Sequence, residues 1–216
     1  MRYLLCNGSP KGNNGNTSMI LDALAEGISS VSDQHIIRAN LNRVQEHESL
    51  VLTLLDSEVI IIAFPLYTDA MPGITMAFIE ALRPHIGQFD KHTFCFVVQS
   101  GFPERIHCEP VEKYLIRLAG ILGAKYGGTL ILGGGMMMNP KRFQIVNHIG
   151  ARLSDTQVFD ETCIKNATPL IRFPVVSRGL MTLATKLPVT QSYWDSQLKA
   201  NGAYERRFDC PYEPKD

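Results

Sequence analysis

One stretch of the chain, Val59-Ile60-Ile61-Ile62-Ala63-Phe64, is apolar at every position. A strand with one face in water would alternate polar and apolar residues, whereas a strand covered by helices on both faces would not. Such strands occur in parallel sheets, where each strand is usually connected to the next through a helix. The run therefore predicts a central strand of an α/β sheet.

Further strand-like and helix-like segments alternate along the first 160 or so residues. The other predicted strands are Tyr3–Cys6, His35–Arg38, Thr93–Val98 and Thr129–Leu132. Predicted helices begin near Thr17, carry Leu50, Leu54 and Leu55, have Pro72 in a first turn, and run from Pro110 to Gly123. This alternation predicts parallel βα units in a doubly wound sheet, with helices on both faces.

The C-terminal part, residues 162–216, is less regular. It has one helix-like pattern, Val175–Leu187, followed by an aromatic and polar tail that includes Trp194. We expect a single domain, 1–216, in which residues 162–216 form an extension that packs on the sheet domain or on a dimer partner.

The segment between the first strand and the first helix, Cys6–Ser18, is rich in glycine and asparagine. A loop of this composition directs several backbone N–H groups at one point, where the helix N-terminus adds partial positive charge. Ser9, Thr17 and Ser18 would add hydroxyl donors. The segment therefore predicts a phosphate-binding site.

Three other phosphate-binding loops are excluded by spacing. The segment contains neither G-x-x-x-x-G-K-[ST] nor G-x-G-x-x-G. A phosphatase loop of the C-x5-R type would need arginine at position 12, which is Gly12. Cys6 therefore lacks a cation to stabilise a thiolate, and we interpret it as a small buried strand residue.

Charge and cysteine content narrow the class of protein. The 216 residues carry 21 basic and 21 acidic side chains, so no basic surface is expected for nucleic acid or an anionic membrane. The five cysteines are scattered without a C-x-x-C pair, which favours a reducing cytoplasm over a disulfide framework or a metal centre. We expect no secretion signal, because the N-terminus enters a strand without a charged region followed by an apolar one. We expect no membrane span, because no apolar segment reaches about 20 residues.

Two more loops follow predicted strands, at residues 65–73 and 99–104. In open α/β sheets, ligands bind beyond the carboxyl ends of the strands, where the strand order reverses. Both loops combine aromatic side chains with small residues and backbone polar groups, which suits a flat heteroaromatic ring.

These three loops resemble those of the NAD(P)H-dependent FMN reductase family, flavodoxin-like proteins related to the iron–sulfur flavoproteins. The resemblance covers most of the chain and implies a five-stranded parallel sheet of order 2-1-3-4-5. Its most specific parts are Gly8-Ser9-Pro10-Lys11 with Gly15-Asn16-Thr17, Pro65-Leu66-Tyr67-Thr68-Asp69-Ala70-Met71-Pro72, and Gln99-Ser100-Gly101-Phe102.

The resemblance implies FMN as the cofactor, with its phosphate on the first loop and its ring between the other two. The implied phosphate ligands are Ser9, Lys11, Asn16, Thr17 and Ser18. The implied ring contacts are Pro65, Leu66, Tyr67, Asp69, Ser100, Gly101 and Phe102. For Asp69, a role as N-cap of the helix at Pro72 is an equal alternative.

Two positions depart from the family pattern. Family members often have arginine where this chain has Lys11, which replaces a bidentate donor with a point charge. The iron–sulfur branch has a compact cysteine cluster after its second strand, and residues between Arg38 and Asp56 include no cysteine. We therefore expect no iron–sulfur cluster.

The resemblance also implies the reaction. Hydride from NADPH or NADH would pass through FMN to a small acceptor such as a flavin, quinone, nitroaromatic or azo compound. Backbone N–H groups of the second and third loops would bind the ring, and no catalytic side chain is required. A homodimer or higher homo-oligomer is expected.

Several alternatives stay open at this point. The chain would also suit a flavodoxin-type FMN electron carrier, or a relative that binds another phosphorylated ligand. Lys141 and Arg142 would either recognise the 2′-phosphate of NADPH or be solvated. Met136–Met138 would either line the flavin site or fill gaps in the core. The six histidines, including His107, show no metal-ligand spacing and are interpreted as surface or hydrogen-bonding residues.

Overall fold

In a computed structural model, the chain folds around a five-stranded sheet. The structure describes residues 1–31, 33–134, 139–168, 170–185 and 188–210. The strands are β1 (Arg2–Asn7), β2 (His35–Asn40), β3 (Val59–Pro65), β4 (Thr93–Gln99) and β5 (Lys125–Leu132). Neighbouring strands are parallel, in the order β2-β1-β3-β4-β5. The predicted sheet is confirmed. The interpretation of Met136–Met138 concerns positions outside the described residues.

The described helices α1 to α4 alternate with the strands, and the helices after β5 follow one another without a strand between them. They are α1 (Asn16–Val31), α2 (His47–Leu55), α3 (Gly73–Ala81), α4 (Glu109–Leu122), α5 (Pro140–Thr156), α6 (Glu161–Ala167), α7 (Val175–Thr185) and α8 (Pro188–Ala200). Gly123 ends α4 in a left-handed conformation with φ of 76°. The predicted helix over Val175–Leu187 is described as far as Thr185, and α8 replaces the irregular tail that we expected.

The core lies on both faces of the sheet. Every residue of β3 is buried, and its side chains alternate between two hydrophobic clusters. Ile60, Ile62 and Phe64 pack among residues of α2, α3 and α4. Ile61 and Ala63 lie in the cluster that contains residues of α1 and α5. The unbroken apolar run therefore reflects burial on two sides, as predicted.

Helices α1 and α5 approach each other closely on one face of the sheet. A Cβ atom added to Gly27 would overlap the carbonyl oxygen of Asn147, and one added to Gly150 would overlap that of Leu24. Both glycines thus remove side-chain bulk where the two backbones meet. This contact places α1 directly beside α5, in the hydrophobic cluster that covers this face of the sheet.

The chain divides into two compact units, Met1–Arg172 and Phe173–Asp216. The first unit contains the sheet, α1 to α6 and both hydrophobic clusters. The second unit contains α7 and α8, where the rings of Tyr193 and Trp194 meet edge to face. Among the described helices, none combines the length and the apolar character needed to cross a bilayer. The packing of residues 162–216 as an extension stays a prediction.

Candidate functional site

The candidate site lies at the carboxyl ends of three adjacent strands. β1 and β3 are neighbours in the middle of the sheet, with β2 on one side and β4 and β5 on the other. The strand order therefore reverses between β1 and β3, which is where ligands bind in open α/β sheets. The loops that follow β1, β3 and β4 leave the sheet at this edge, and the twelve predicted site residues lie in these loops, at the end of β3 and in the first turn of α1.

The loop after β1 is shaped by the side chain of Asn7. Its Oδ1 accepts a hydrogen bond from the backbone N–H of Ser9 at 3.0 Å, and its Nδ2 donates to the carbonyl of Gly12 at 2.8 Å. Gly12 has φ of 54°, a left-handed conformation that favours glycine. The sequence analysis did not identify Asn7 as a residue that shapes this loop. A polar residue at the end of a buried strand is a signal that could have revealed it.

The same loop is tied to two other elements through Gly8. The backbone N–H of Gly8 donates to the carbonyl of Ala63 in β3 at 2.7 Å. The hydroxyl of Thr75 in α3, which is fully buried, donates to the carbonyl of Gly8 at 3.1 Å. A Cβ atom at Gly8 would overlap that hydroxyl oxygen, so no side chain fits there. Thr75 is a second supporting residue that sequence reasoning missed.

The predicted phosphate ligands gather at the start of α1, which begins at Asn16. Ser9 and Thr17 are only 3% and 2% exposed, and the hydroxyl oxygen of Ser9 accepts from the backbone N–H of Lys11 at 3.3 Å. Lys11 is exposed and Ser18 is half-buried. Two buried hydroxyl-bearing residues and one exposed cation thus lie at the positive end of a 16-residue helix, which favours an anion.

The loop after β3 forms a tight hairpin. Tyr67 and Ala70 exchange two backbone hydrogen bonds, of 2.9 and 3.1 Å, across Thr68 and Asp69. Both turn residues are left-handed, with φ of 50° and 62°. Such a turn normally has glycine or asparagine at these positions, and β-branched threonine is strained there. Strain of this kind is typical of functional loops.

The other predicted residues of this segment are either buried or exposed. Pro65 and Leu66 are buried, and the backbone N–H of Leu66 donates to the carbonyl of Gln99 at 2.7 Å. This bond joins the loop after β3 to the end of β4. Tyr67 is 48% exposed, so its side chain lies at the surface, next in sequence to the buried Pro65 and Leu66.

The loop after β4 turns on Ser100. This residue is 1% exposed, its backbone N–H donates to the carbonyl of Leu132, and its hydroxyl oxygen accepts from the backbone N–H of Phe102 at 3.1 Å. Gly101 and Phe102 are exposed, with Phe102 at 54%. The structure therefore shows Ser100 as a buried turn residue that presents the other two.

The loops after β3 and β4 meet at Asp69, Phe102 and His107. The ring of His107, in a short 3-10 helix (Arg105–Cys108), stacks on Phe102 with centroids 4.3 Å apart and planes 25° apart. Its Nδ1 lies 3.7 Å from Oδ1 of Asp69. The alternative of Asp69 as a helix cap was wrong, because α3 has Pro72 at its N-cap position with no side-chain cap. His107 was not recognised from the sequence as part of this cluster, since Asp69 comes from the loop after another strand.

Two further sequence interpretations can be located. Cys6 is fully buried within β1, and burial raises the pKa of its thiol, which confirms its interpretation as a small strand residue. Lys141 and Arg142 lie in the first turn of α5, where a guanidinium nitrogen of Arg142 donates to the carbonyl of Gly134 at 3.4 Å. Whether these cations bind NADPH stays a prediction.

Comparison with known proteins gives matches in structure. The chain matches no family profile and no curated protein sequence. An apo NADH:FMN oxidoreductase has a TM-score of 0.59 and 14% identity, over 80% of this chain and 96% of its own. An FMN-dependent NADH-azoreductase from Bacillus anthracis, in complex with FMN, has a TM-score of 0.57 and 14% identity, over 71% of this chain and 100% of its own.

A third neighbour, an NAD(P)H:quinone oxidoreductase from Methanothermobacter marburgensis, has a TM-score of 0.58 and 14% identity, over 73% of this chain and 98% of its own. At such identities the likeness establishes the fold. The neighbours are NAD(P)H-dependent FMN, azo and quinone reductases, the group that the sequence motifs resemble. This chain shares their flavodoxin-like fold.

Proposed function

We propose that this protein is an FMN-dependent oxidoreductase that takes hydride from NADH or NADPH and reduces a small organic acceptor. The observation that carries the proposal is the meeting of three loops at one edge of the sheet. One loop offers buried hydroxyls and a helix N-terminus, and the other two offer the exposed rings of Tyr67 and Phe102. A phosphate joined to a flat aromatic ring matches this combination.

The residues fit FMN in their chemistry. The phosphate would be held by Ser9, Lys11, Asn16, Thr17 and Ser18, because a helix N-terminus favours an anion and hydroxyl groups can donate to phosphate oxygens.

The ring would lie against the exposed parts of the second and third loops. Tyr67 and Phe102 are large apolar side chains about half in water, and a bound ring would cover them. The contacts expected for the ring are Pro65, Leu66, Tyr67, Asp69, Ser100, Gly101 and Phe102. Of these, Pro65, Leu66 and Ser100 would act from below as the buried supports of the two loops.

When bound, FMN supplies the two-electron chemistry, and the protein contributes binding and orientation. The backbone of the Tyr67–Ala70 hairpin is fixed by its own hydrogen bonds, and the turn at Ser100 is fixed by its hydroxyl. Both loops can therefore present backbone N–H groups without reorganising, which favours negative charge on a bound ring. The neighbouring structures that are described as azo and quinone reductases support a small organic acceptor.

The cellular setting is part of the proposal. All five cysteines are free, and three of them are buried, which fits a reducing cytoplasm. We also expect a homodimer or higher homo-oligomer, as in the sequence analysis. Size-exclusion chromatography with light scattering tests the oligomer directly.

The test of the proposed function is an anaerobic visible spectrum of the purified protein with FMN, before and after NADH or NADPH. We expect bound flavin whose visible absorption bleaches on addition of either nucleotide. Bound flavin that stays oxidised would favour the flavodoxin-type carrier. Absence of flavin binding would contradict both the oxidoreductase and the flavodoxin-type carrier, and it would favour another phosphorylated ligand.

Lys11→Met tests the phosphate end of the site. We expect it to weaken FMN binding by about tenfold, since a hydrogen bond to a charged group contributes about 1.5–3 kcal/mol and an exposed lysine belongs at the low end. Riboflavin lacks the phosphate, so its affinity should not change. Equal weakening of both ligands, measured by fluorescence titration, would contradict a phosphate contact for Lys11.

A further inference from the structure

A second cleft lies at the β5 edge of the sheet, apart from the candidate flavin site. It is bordered by residues 126–129 of β5, by α6 and by Leu170 and Ile171, and we call it the edge cleft. All of its lining residues belong to the first unit, and none of them is a residue that we assign to FMN. Its volume is about 820 Å³, within the usual range of about 300–1,000 Å³ for sites that bind small molecules.

Much of the lining of the edge cleft is apolar. Phe159 is buried in one of the two hydrophobic clusters, and Ile164 of α6 packs against that cluster. Leu170 and Ile171, by contrast, are 62% and 55% exposed. The carbonyl of Leu170 accepts from the backbone N–H of Arg105 at 3.0 Å, which fixes this part of the wall. A molecule bound in the edge cleft would cover apolar surface, which favours an apolar body.

Two polar side chains of the lining have unsatisfied atoms. Nε of Arg105 and Oγ1 of Thr168 are buried and have no hydrogen-bond partner in the described part of the protein. Another guanidinium nitrogen of Arg105 donates to Glu112 at 2.6 Å, and 33% of the Arg105 side chain stays exposed. Buried polar groups are normally hydrogen-bonded. A ligand oxygen that accepts from either side chain would therefore be stabilised in the edge cleft.

The charged residues that line the edge cleft balance each other. Arg105 is paired with Glu112. Glu161 and Lys165 are both exposed and lie four positions apart on α6, where side chains are neighbours on the helix surface. These four residues are the charged members of the lining. Because two cations face two anions, the edge cleft suits a molecule without net charge.

An added peptide strand does not fit this edge of the sheet. Strand addition needs a row of free backbone groups in extended conformation. The carbonyl of Gly127 already accepts from the backbone N–H of Phe159 at 2.8 Å. Gly128 has φ of 104°, so β5 is not extended at that position. The edge cleft is therefore better suited to a small molecule than to a polypeptide.

We propose that the edge cleft binds an uncharged, mainly apolar compound that carries a carbonyl oxygen, such as an aromatic ketone. The apolar body lies against Phe159, Ile164 and Leu170. The carbonyl oxygen accepts a hydrogen bond from the guanidinium of Arg105 or the hydroxyl of Thr168. This site is separate from the proposed function, since it involves neither FMN nor the residues assigned to it.

The test compares two probes of similar shape, acetophenone and ethylbenzene, of which only acetophenone has an acceptor oxygen. Each is titrated into the full chain with and without saturating FMN, and binding is followed by ligand-observed NMR. We expect both probes to bind, with affinities that FMN does not change. Ile164→Ser should weaken both by about tenfold, because apolar contact is lost. Ile145→Ser is the matched control, since Ile145 is 43% exposed on α5 and does not line the edge cleft.

A double variant, Arg105→Lys with Thr168→Val, tests the acceptor oxygen. The lysine keeps the positive charge that pairs with Glu112, but it lacks the Nε–H donor, and the valine removes the hydroxyl. We expect acetophenone to bind about two- to tenfold more weakly, the effect of one neutral hydrogen bond, and ethylbenzene to bind as before. Equal effects on the two probes would overturn the assignment of a carbonyl-bearing ligand.

The location of the site has its own readout, a crystal structure of the wild-type protein with acetophenone and FMN. We expect acetophenone between β5 and α6, beside Phe159. Failure of acetophenone to bind, binding that FMN abolishes, or binding that Ile164→Ser leaves unchanged would each overturn the inference. None of these outcomes bears on the reduction of FMN by NADH or NADPH, which tests the proposed function separately.

Discussion

The residues that shape the candidate site are held by a few hydrogen bonds from buried polar side chains. Asn7 and Ser100 are 4% and 1% exposed, and each accepts a backbone N–H two positions further along the chain. Bonds of this local type replace secondary structure in turns. The loops after β1 and β4 therefore owe their form to short polar residues at the end of a buried strand or directly after it.

Thr68 offers a test of strain at the residue scale. Thr68→Asn should raise the free energy of unfolding by about 1 kcal/mol, because asparagine tolerates the left-handed conformation that a β-branched residue resists. Chemical denaturation of the protein without ligand measures the change. Thr53→Asn is the control, since Thr53 lies in the helix α2, is not in a left-handed conformation, and should gain nothing. A Thr68→Asn protein no more stable than the wild type would contradict strain at this position.

Recognition of the site from sequence depended on how local its interactions are. Ser9, Lys11 and Thr17 were identified because they lie in one Gly/Asn-rich segment before a helix. Thr75 was missed, since the carbonyl that it bonds is 67 positions away. The contact of His107 with Asp69 was missed for the same reason, because the two residues are 38 positions apart and follow the neighbouring strands β4 and β3.

Among the elements, the contact between α1 and α5 places the strictest demand on side-chain size. In an ordinary helix interior, glycine is destabilising by about 1 kcal/mol relative to alanine. At Gly27 the advantage of alanine is outweighed, because a Cβ atom would overlap the carbonyl oxygen of Asn147. The two helices must separate to accommodate it, and α1 would move with them.

Gly27→Ala should therefore lower the free energy of unfolding by about 1–3 kcal/mol, the usual cost of overpacking. Gly120→Ala is the matched control. It lies in α4 with no atom within 4 Å of the added Cβ, so it should be about 0.5–1 kcal/mol more stable than the wild type. Denaturant unfolding of both variants gives the comparison. A stabilising Gly27→Ala would contradict the close approach of the helices.

The elements were predictable where their pattern was strong. Unbroken apolar runs predicted the buried strands β3 and β4, and Pro110 and Gly123 indicated the limits of α4. α8 was not foreseen, because Pro188–Ala200 mixes aromatic and polar residues without an apolar stripe. α6 was also not identified, since a helix of seven residues carries less than two full periods of pattern.

On the scale of the whole molecule, burial of ionisable groups makes the fold sensitive to alkaline pH. Burial raises the pKa of Tyr3 to about 12, that of Cys95 to about 12 and that of Cys108 to about 11, from ordinary values of 10.0 for tyrosine and 9.0 for cysteine. The folded state thus prefers the protonated forms. Their contribution is complete below pH 9 and is lost progressively as the pH rises from 9 towards 12.

We expect the free energy of unfolding to be constant from pH 7 to 8.5 and to fall above pH 9, by about 1 kcal/mol per pH unit for each such group. Urea unfolding with a thiol reductant, at several pH values, measures this dependence. Cys95→Ala should reduce the slope, whereas Cys210→Ser should not, because Cys210 is exposed. Equal stability at pH 8 and pH 11 would contradict the prediction.

The sequence by itself predicted the architecture of the first unit, and it also predicts anion binding at the first loop. Both depend on local signals: apolar periodicity decides between strand and helix, and a Gly/Asn-rich turn before a helix exposes backbone donors. Only the tertiary structure decided which side chains meet across the loops and which helices touch through glycine. Those contacts join residues far apart in the chain, and their geometry is set by strand order and packing, which no local pattern encodes.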